Sequence, residues 1–67
     1  EIVRGSPEDG SFTTWYVREG RLVAALTFGR SEDLDHARRL LEERPTLDAA
    51  ARAGLADVES ELGAIGR

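Results

Sequence analysis

The side chains of this chain that could carry chemistry are few, and most lie between residues 30 and 44. His36 is the only histidine among the 67 residues. An imidazole works as a general base when a nucleophile or an orienting carboxylate sits beside it, and the sequence places no such partner next to His36, which reads as a solvent-facing side chain one turn into a helix. Glu32, Asp33 and Asp35 offer three carboxylates within four positions. They lack the spaced oxygen ligands and the glycine of a calcium loop, and the positive end of a helix dipole accounts for Glu32 and Asp33 more simply. Arg38 and Arg39 could dock an acidic partner by long-range, salt-sensitive attraction, but Asp35, Glu42 and Glu43 stand at helical spacing from them, so pairing within the helix is the stronger use. Gly5, Gly10, Gly20 and Gly29 fall one to each turn or strand end, not in the Gly-x-Gly-x-x-Gly run that opens a helix onto a phosphate. They read as punctuation. No residue is assigned as catalytic, cofactor-binding or metal-ligating.

Composition narrows the classes further. The nine basic residues are all Arg, which removes Schiff-base and lysine-base chemistry. Cysteine is absent, so neither a disulfide framework, a thiolate nucleophile nor a cysteine-rich zinc site can be built. The formal charge of -4 speaks against nucleic acid as a partner, because counterion release needs clustered cations. No apolar run approaches the roughly 18 residues of a membrane span, and no basic-then-apolar start marks a signal peptide; the expected location is the cytoplasm. The chain opens on Glu-Ile-Val-Arg rather than Met and is expected to be a processed piece of a larger molecule. A chain this short buries only about 60% of the surface its unfolded form exposes, so it makes one domain at most.

The frame for these residues begins with a strand from Glu1 to Ser6, ended by a Ser6-Pro7-Glu8-Asp9-Gly10 turn in which Pro7 presets the second position and Gly10 takes a left-handed conformation. Ser11 to Arg18 is a second strand, rich in the β-branched and aromatic types that fit a pleated surface. With Glu19 and Gly20 as a two-residue turn, Arg18 faces Arg21, Val17 faces Leu22, Tyr16 faces Val23 and Trp15 faces Ala24, and Leu22 to Phe28 is the third strand. Ser31 is expected to cap a helix from Glu32 to Arg44 whose apolar stripe is Leu34, Ala37, Leu40 and Leu41, and Pro45 stops it. Beyond it, Thr46 or Asp48 caps a short Ala-rich helix ending at Gly54, Leu55, Val58 and Leu62 suggest another, and residues 63–67 read as a fraying tail. The fold class is α+β. Residues 1–30 form a three-stranded antiparallel meander, 31–44 the main helix packed on one face, and 46–67 a short helical tail.

Both sides of the central hairpin are apolar, so neither sheet face reads as solvated. One helix covers one face, and the other points to further protein. Trp15, Val17, Leu22 and Ala24 are the candidate interface. The Trp15 ring, set over the small Ala24, is either core beneath the helix or an anchor for another domain or a second copy.

The segments Val3-Arg4-Gly5, Phe12, Tyr16-Val17-Arg18-Glu19-Gly20-Arg21-Leu22-Val23-Ala24-Ala25 and Asp33-Leu34 leading into Ala37-Arg38-Arg39-Leu40-Leu41 resemble the C-terminal reductase domain of FAD-dependent ferredoxin reductases, within the pyridine nucleotide-disulfide oxidoreductases. The resemblance covers about Glu1 to Ala50. It implies a parent carrying FAD and binding NAD(P)H on preceding domains, which passes electrons to a ferredoxin-like iron-sulfur acceptor, with this α+β module packed against the flavin-bearing part. The family's domain usually starts with a further strand near the flavin, before the first residue here, so no flavin contact transfers to this chain. The fragment itself is expected to hold no cofactor. The competing expectation is a free-standing interaction module that self-associates as a dimer, through sheet edges or the Trp15 face.

Overall fold

The computed structural model describes residues 1–66. Three strands, β1 (Ile2–Ser6), β2 (Ser11–Arg18) and β3 (Arg21–Phe28), form one antiparallel sheet in the order β1-β2-β3. Two helices, α1 (Asp33–Glu43) and α2 (Ala49–Ala56), pack on one side of it, α1 over β3 and α2 over β1. The α+β class and the meander are as the sequence implies.

Turn chemistry sets the meander. Pro7–Asp9 makes a single 3-10 turn closed at Gly10, whose φ of 73° lets its N–H reach the Pro7 carbonyl at 3.1 Å. In the second hairpin both central residues are left-handed, Glu19 at φ 54° and Gly20 at 78°, the conformation whose twist matches the strands. Arg18 pairs with Arg21 and Val17 with Leu22 as expected. A bulge at Tyr16/Val17 then shifts the ladder, so Tyr16 faces Ala24 and Trp15 faces Ala25, one residue from the expected register. The extra residue is Val23, and inserting it puts Ala25 in place of Ala24 on the helix-covered side with Leu22 and Trp15.

Helix α1 is rotated from the expected stripe. Asp33, Ala37 and Leu40 are its buried residues, while Leu34 and Leu41 remain 42% and 38% exposed. The expected hydroxyl cap also differs: Glu32 occupies the N-cap position with helical angles and no side-chain bond, and Ser31 lends only its carbonyl, to the N–H of Leu34. The cause is Asp33, whose carboxylate turns inward to a buried partner. Asp48 does cap α2, accepting from the Ala51 N–H at 2.8 Å.

Past α2 the sequence reading is corrected. The expected stop at Gly54 does not occur, and α2 runs through Leu55 to Ala56. A third helix on Leu55, Val58 and Leu62 does not form; a 3-10 turn, Leu62–Ala64, takes its place. The segment expected to fray is tied down through residue 66. Ile65 is buried, Arg39 Nη2 donates to the Leu62 and Ile65 carbonyls at 3.1 and 2.7 Å, and Gly66 sits so close to Pro45 that a Cβ there would lie 2.6 Å from its ring. Arg67 lies outside the described residues. The core that results, Trp15, Leu22, Leu40, Leu47, Leu55 and Ile65, draws on every layer of the chain. A small domain needs such tail residues because two short helices offer too little apolar surface to close its core.

Candidate functional site

Strand alternation sorts the sheet into two faces. The covered face holds Trp15 and Leu22, inaccessible at 0% and 1%, with Ile2, Val17 and Ala25 packed against them. The open face holds Val3, Phe12, Tyr16, Leu26 and Phe28, of which Phe28 is 63% and Leu26 55% exposed. Phe12 and Phe28 pair across β2 and β3 with ring centroids 6.1 Å apart and planes 21° from parallel. Thr14 lies in the middle of this face, buried by the larger side chains around it. A contiguous apolar patch on a sheet that has no helix over it is the signature of a contact surface.

The expected interface residues divide between the two faces. Trp15, Val17 and Leu22 point into the chain's own core, and the Trp15 indole N–H donates to the Leu55 carbonyl at 3.2 Å. Trp15 is therefore enclosed by this chain, which corrects its assignment as a surface anchor. The cover comes from Leu40, Leu47 and Leu55, not from the expected Leu34 and Leu41. Ala24, paired with Tyr16, is on the open face and exposed. The residues that fill that face, Val3, Phe12, Tyr16, Leu26 and Phe28, follow from the period of two along each strand. The bulge at Val23 is what separates Ala24 from the Trp15 side.

Beneath the covered face lies a buried polar cluster that the sequence reading did not assemble. Asp33 Oδ2 accepts from Thr13 Oγ1 at 2.7 Å and from Arg30 Nε at 3.0 Å, with Arg4 Nε 4.0 Å away. Arg4, only 3% exposed, donates to the carbonyls of Gly54, Val58 and Ser60 and to Ser60 Oγ. Burial lowers the guanidinium pKa from its usual value, and the Asp33 charge opposes that shift. Each charge is tied to protein groups on several elements, so the cluster fixes β1 and β2 to the start of α1 and to the loop after α2. Asp33 therefore has a larger task than greeting the helix dipole.

The remaining chemical candidates stay at the surface or in structural bonds. Arg38 pairs with Asp35 at 3.6 Å and Arg39 with Glu43 at 3.4 Å, the intrahelical use expected for both, and Arg39 adds the tail contacts above. His36 is half-buried on α1 and lies beside Gly63. Among the described residues no group of three or more potential metal ligands gathers, and no helix is long and apolar enough to cross a membrane. Among the described residues the geometry offers a surface for contact and no assembled acid, base and nucleophile.

The family model that matches this chain is described as reductase C-terminal, and it spans residues 1–65. No solved structure matches the chain at a significant level.

Proposed function

This chain belongs to the reductase C-terminal family, a domain of FAD-dependent pyridine nucleotide-disulfide oxidoreductases, and we propose that it is the non-catalytic module that packs its open sheet face against the flavin-bearing part of such an enzyme and shapes the acceptor side. The observation that carries this reading is the exposed face itself. Phe28, Leu26 and Val3 stand 63%, 55% and 41% accessible on a sheet whose other side is covered by α1 and α2. Fully burying such a side chain contributes on the order of 1.5–3 kcal/mol, and a monomer that leaves these three about half exposed forgoes roughly half of that. A protein surface recovers it.

In this reading the reaction belongs to the parent. FAD and NAD(P)H held by the preceding domains would supply the hydride and single-electron chemistry toward a ferredoxin-like acceptor, and this module would supply a wall. The 67-residue chain is accordingly expected to show no binding when titrated with FAD or NAD(P)H, followed by flavin and nicotinamide fluorescence. A stoichiometric complex would contradict the assignment.

The direct test uses the full-length reductase carrying this chain, with Leu26→Asp and Phe28→Asp introduced together. Both side chains are solvent-facing here, so the module itself should fold, while a charge pressed against an apolar surface weakens docking. The expected result is at least about tenfold faster proteolytic cleavage between the module and the rest, in line with a loss exceeding about 1.4 kcal/mol, with the module's own helices intact. Unchanged cleavage would remove the open face as the docking surface. A module that instead behaves as a concentration-dependent dimer, lost in the same variant, would establish self-association as its role.

A further inference from the structure

The tip of the second hairpin breaks a local electrostatic rule. Arg18 and Arg21 are paired directly across it, and like charges so placed destabilise a strand pair. A third arginine lies beside them, since Arg21 Nε donates to the Arg44 carbonyl at 3.2 Å. All three residues are exposed, and among the described residues none is in an ion pair with a carboxylate. The negative end of the α1 dipole attracts a cation at this point, which accounts for Arg44 and leaves the Arg18–Arg21 pair without a use in the fold.

The opposite charge lies next to this tip. The Leu47 N–H donates to the Gly20 carbonyl at 2.6 Å, and a Cβ at Gly20 would lie 3.7 Å from Thr46 Cγ2. Thr46 is also the near wall of an open groove of about 540 Å³ that runs between the start of α2 and the C-terminal turn. Ala51, Ala64 and Ile65 give the groove an aliphatic floor, and its only ionisable lining residues are Asp48 and Glu61. Both are exposed, and among the described residues neither is in an ion pair. Asp48 accepts the Ala51 N–H as the α2 cap, a bond that leaves its charge in place.

We propose that this end of the module is a two-fold contact between copies of the chain, in which Arg44 of one copy meets Glu61 of the other and Arg21 meets Asp48. The adjoining charges select the occupant. An acidic partner drawn to the arginines is repelled by Asp48 and Glu61, and a basic partner drawn to the groove is repelled by the arginines. A second copy turned about an axis near Thr46 sets each positive patch on a negative one, twice, because in a two-fold contact every pairing is repeated. The arginine stems then lie on Ala51, Ala64 and Ile65, as long cationic side chains cover apolar surface while their heads stay polar. This contact goes beyond the module reading and uses no residue of the open sheet face.

Sedimentation of the full-length reductase over a range of protein concentrations tests it. The expected result is a monomer–dimer equilibrium whose dissociation constant rises at least about tenfold from about 50 mM to about 500 mM salt, as exposed charges are screened. Arg44→Glu and Glu61→Arg, each alone, set like charges together twice and are expected to weaken the dimer at least about tenfold. The two combined in one chain exchange the signs and are expected to restore it. A reductase that stays monomeric, a dimer indifferent to salt and to both single variants, or a double variant no tighter than the singles overturns the proposal. The dimer is expected to survive in the Leu26→Asp/Phe28→Asp variant. Its loss there would move self-association to the sheet face and overturn this contact, whereas a surviving dimer with unaltered proteolytic cleavage would remove the docking face and leave the two-fold contact standing.

Discussion

Trp15 and Phe28 are large aromatics on adjacent strands of one sheet, and the first is inaccessible while the second is 63% exposed. The faces they occupy differ in more than cover. On the Trp15 side β1 and β2 contribute polar groups with named partners: Arg4 to three carbonyls and a hydroxyl, Thr13 to Asp33, the indole to Leu55. Buried polar atoms left unpaired cost more than paired ones return, so this face permits one arrangement of helices. The Phe28 side is apolar apart from Thr14 and the Tyr16 hydroxyl. Its shape is fixed by strand pairing, and what covers it can vary without leaving a charge stranded. One face specifies the fold, and the other is available to a partner.

The comparison breaks first at Trp15. Trp15→Ala removes the centre of the core and strands the Leu55 carbonyl, and losses of about 3–5 kcal/mol are typical of such truncations. Small domains hold only on the order of 5 kcal/mol in total. The variant is expected to be unfolded at room temperature, read by loss of far-UV circular dichroism. A folded variant would mean that the covered face is less decisive than its burial implies.

Asp33→Ala comes next. It removes the carboxylate that Thr13 and Arg30 share and leaves Arg4 buried without an opposite charge. Breaking a buried pair on one side costs about 3–5 kcal/mol, lessened here because Arg30 can turn to water; a loss of about 3 kcal/mol in unfolding free energy is expected from urea titration. Equal destabilisation from Arg30→Ala would show that the partly exposed pair, and not the Arg4 contact, dominates.

The parts of this molecule that local rules govern were legible in the sequence. The Ser11–Arg18 strand, both hairpin turns and the Asp48 cap follow from residue type and spacing within a few positions. The parts that failed depend on distant partners. Asp33 reads as a dipole acid until Thr13 and Arg30 are brought to it, and its inward turn rotates α1 so that Leu34 and Leu41 leave the core. Residues 63–66 read as a tail until Arg39 and Pro45 are seen against them. The site suffered similarly. That one face would be open was legible from apolar residues on both sides of the strands, but a single inserted residue at Val23 decided which side Ala24 joined.

The smallest expected effect separates the faces most cleanly. Leu26→Ser with Phe28→Ser removes two large side chains that are 55% and 63% accessible, and surface changes away from packed features fall within about 0.5 kcal/mol. Polar replacement keeps the β3 backbone paired to β2, and Ser at position 28 loses only the stack with Phe12, worth about 0.5–1.5 kcal/mol at most in such pairs. The 67-residue chain is therefore expected to lose no more than about 1.5 kcal/mol of unfolding free energy, about half the loss of Asp33→Ala, and to gain solubility, since its open apolar face is broken. A loss comparable to that of Asp33→Ala would show that the open face already contributes to the fold of this chain alone, and the division of labour between the faces would fail.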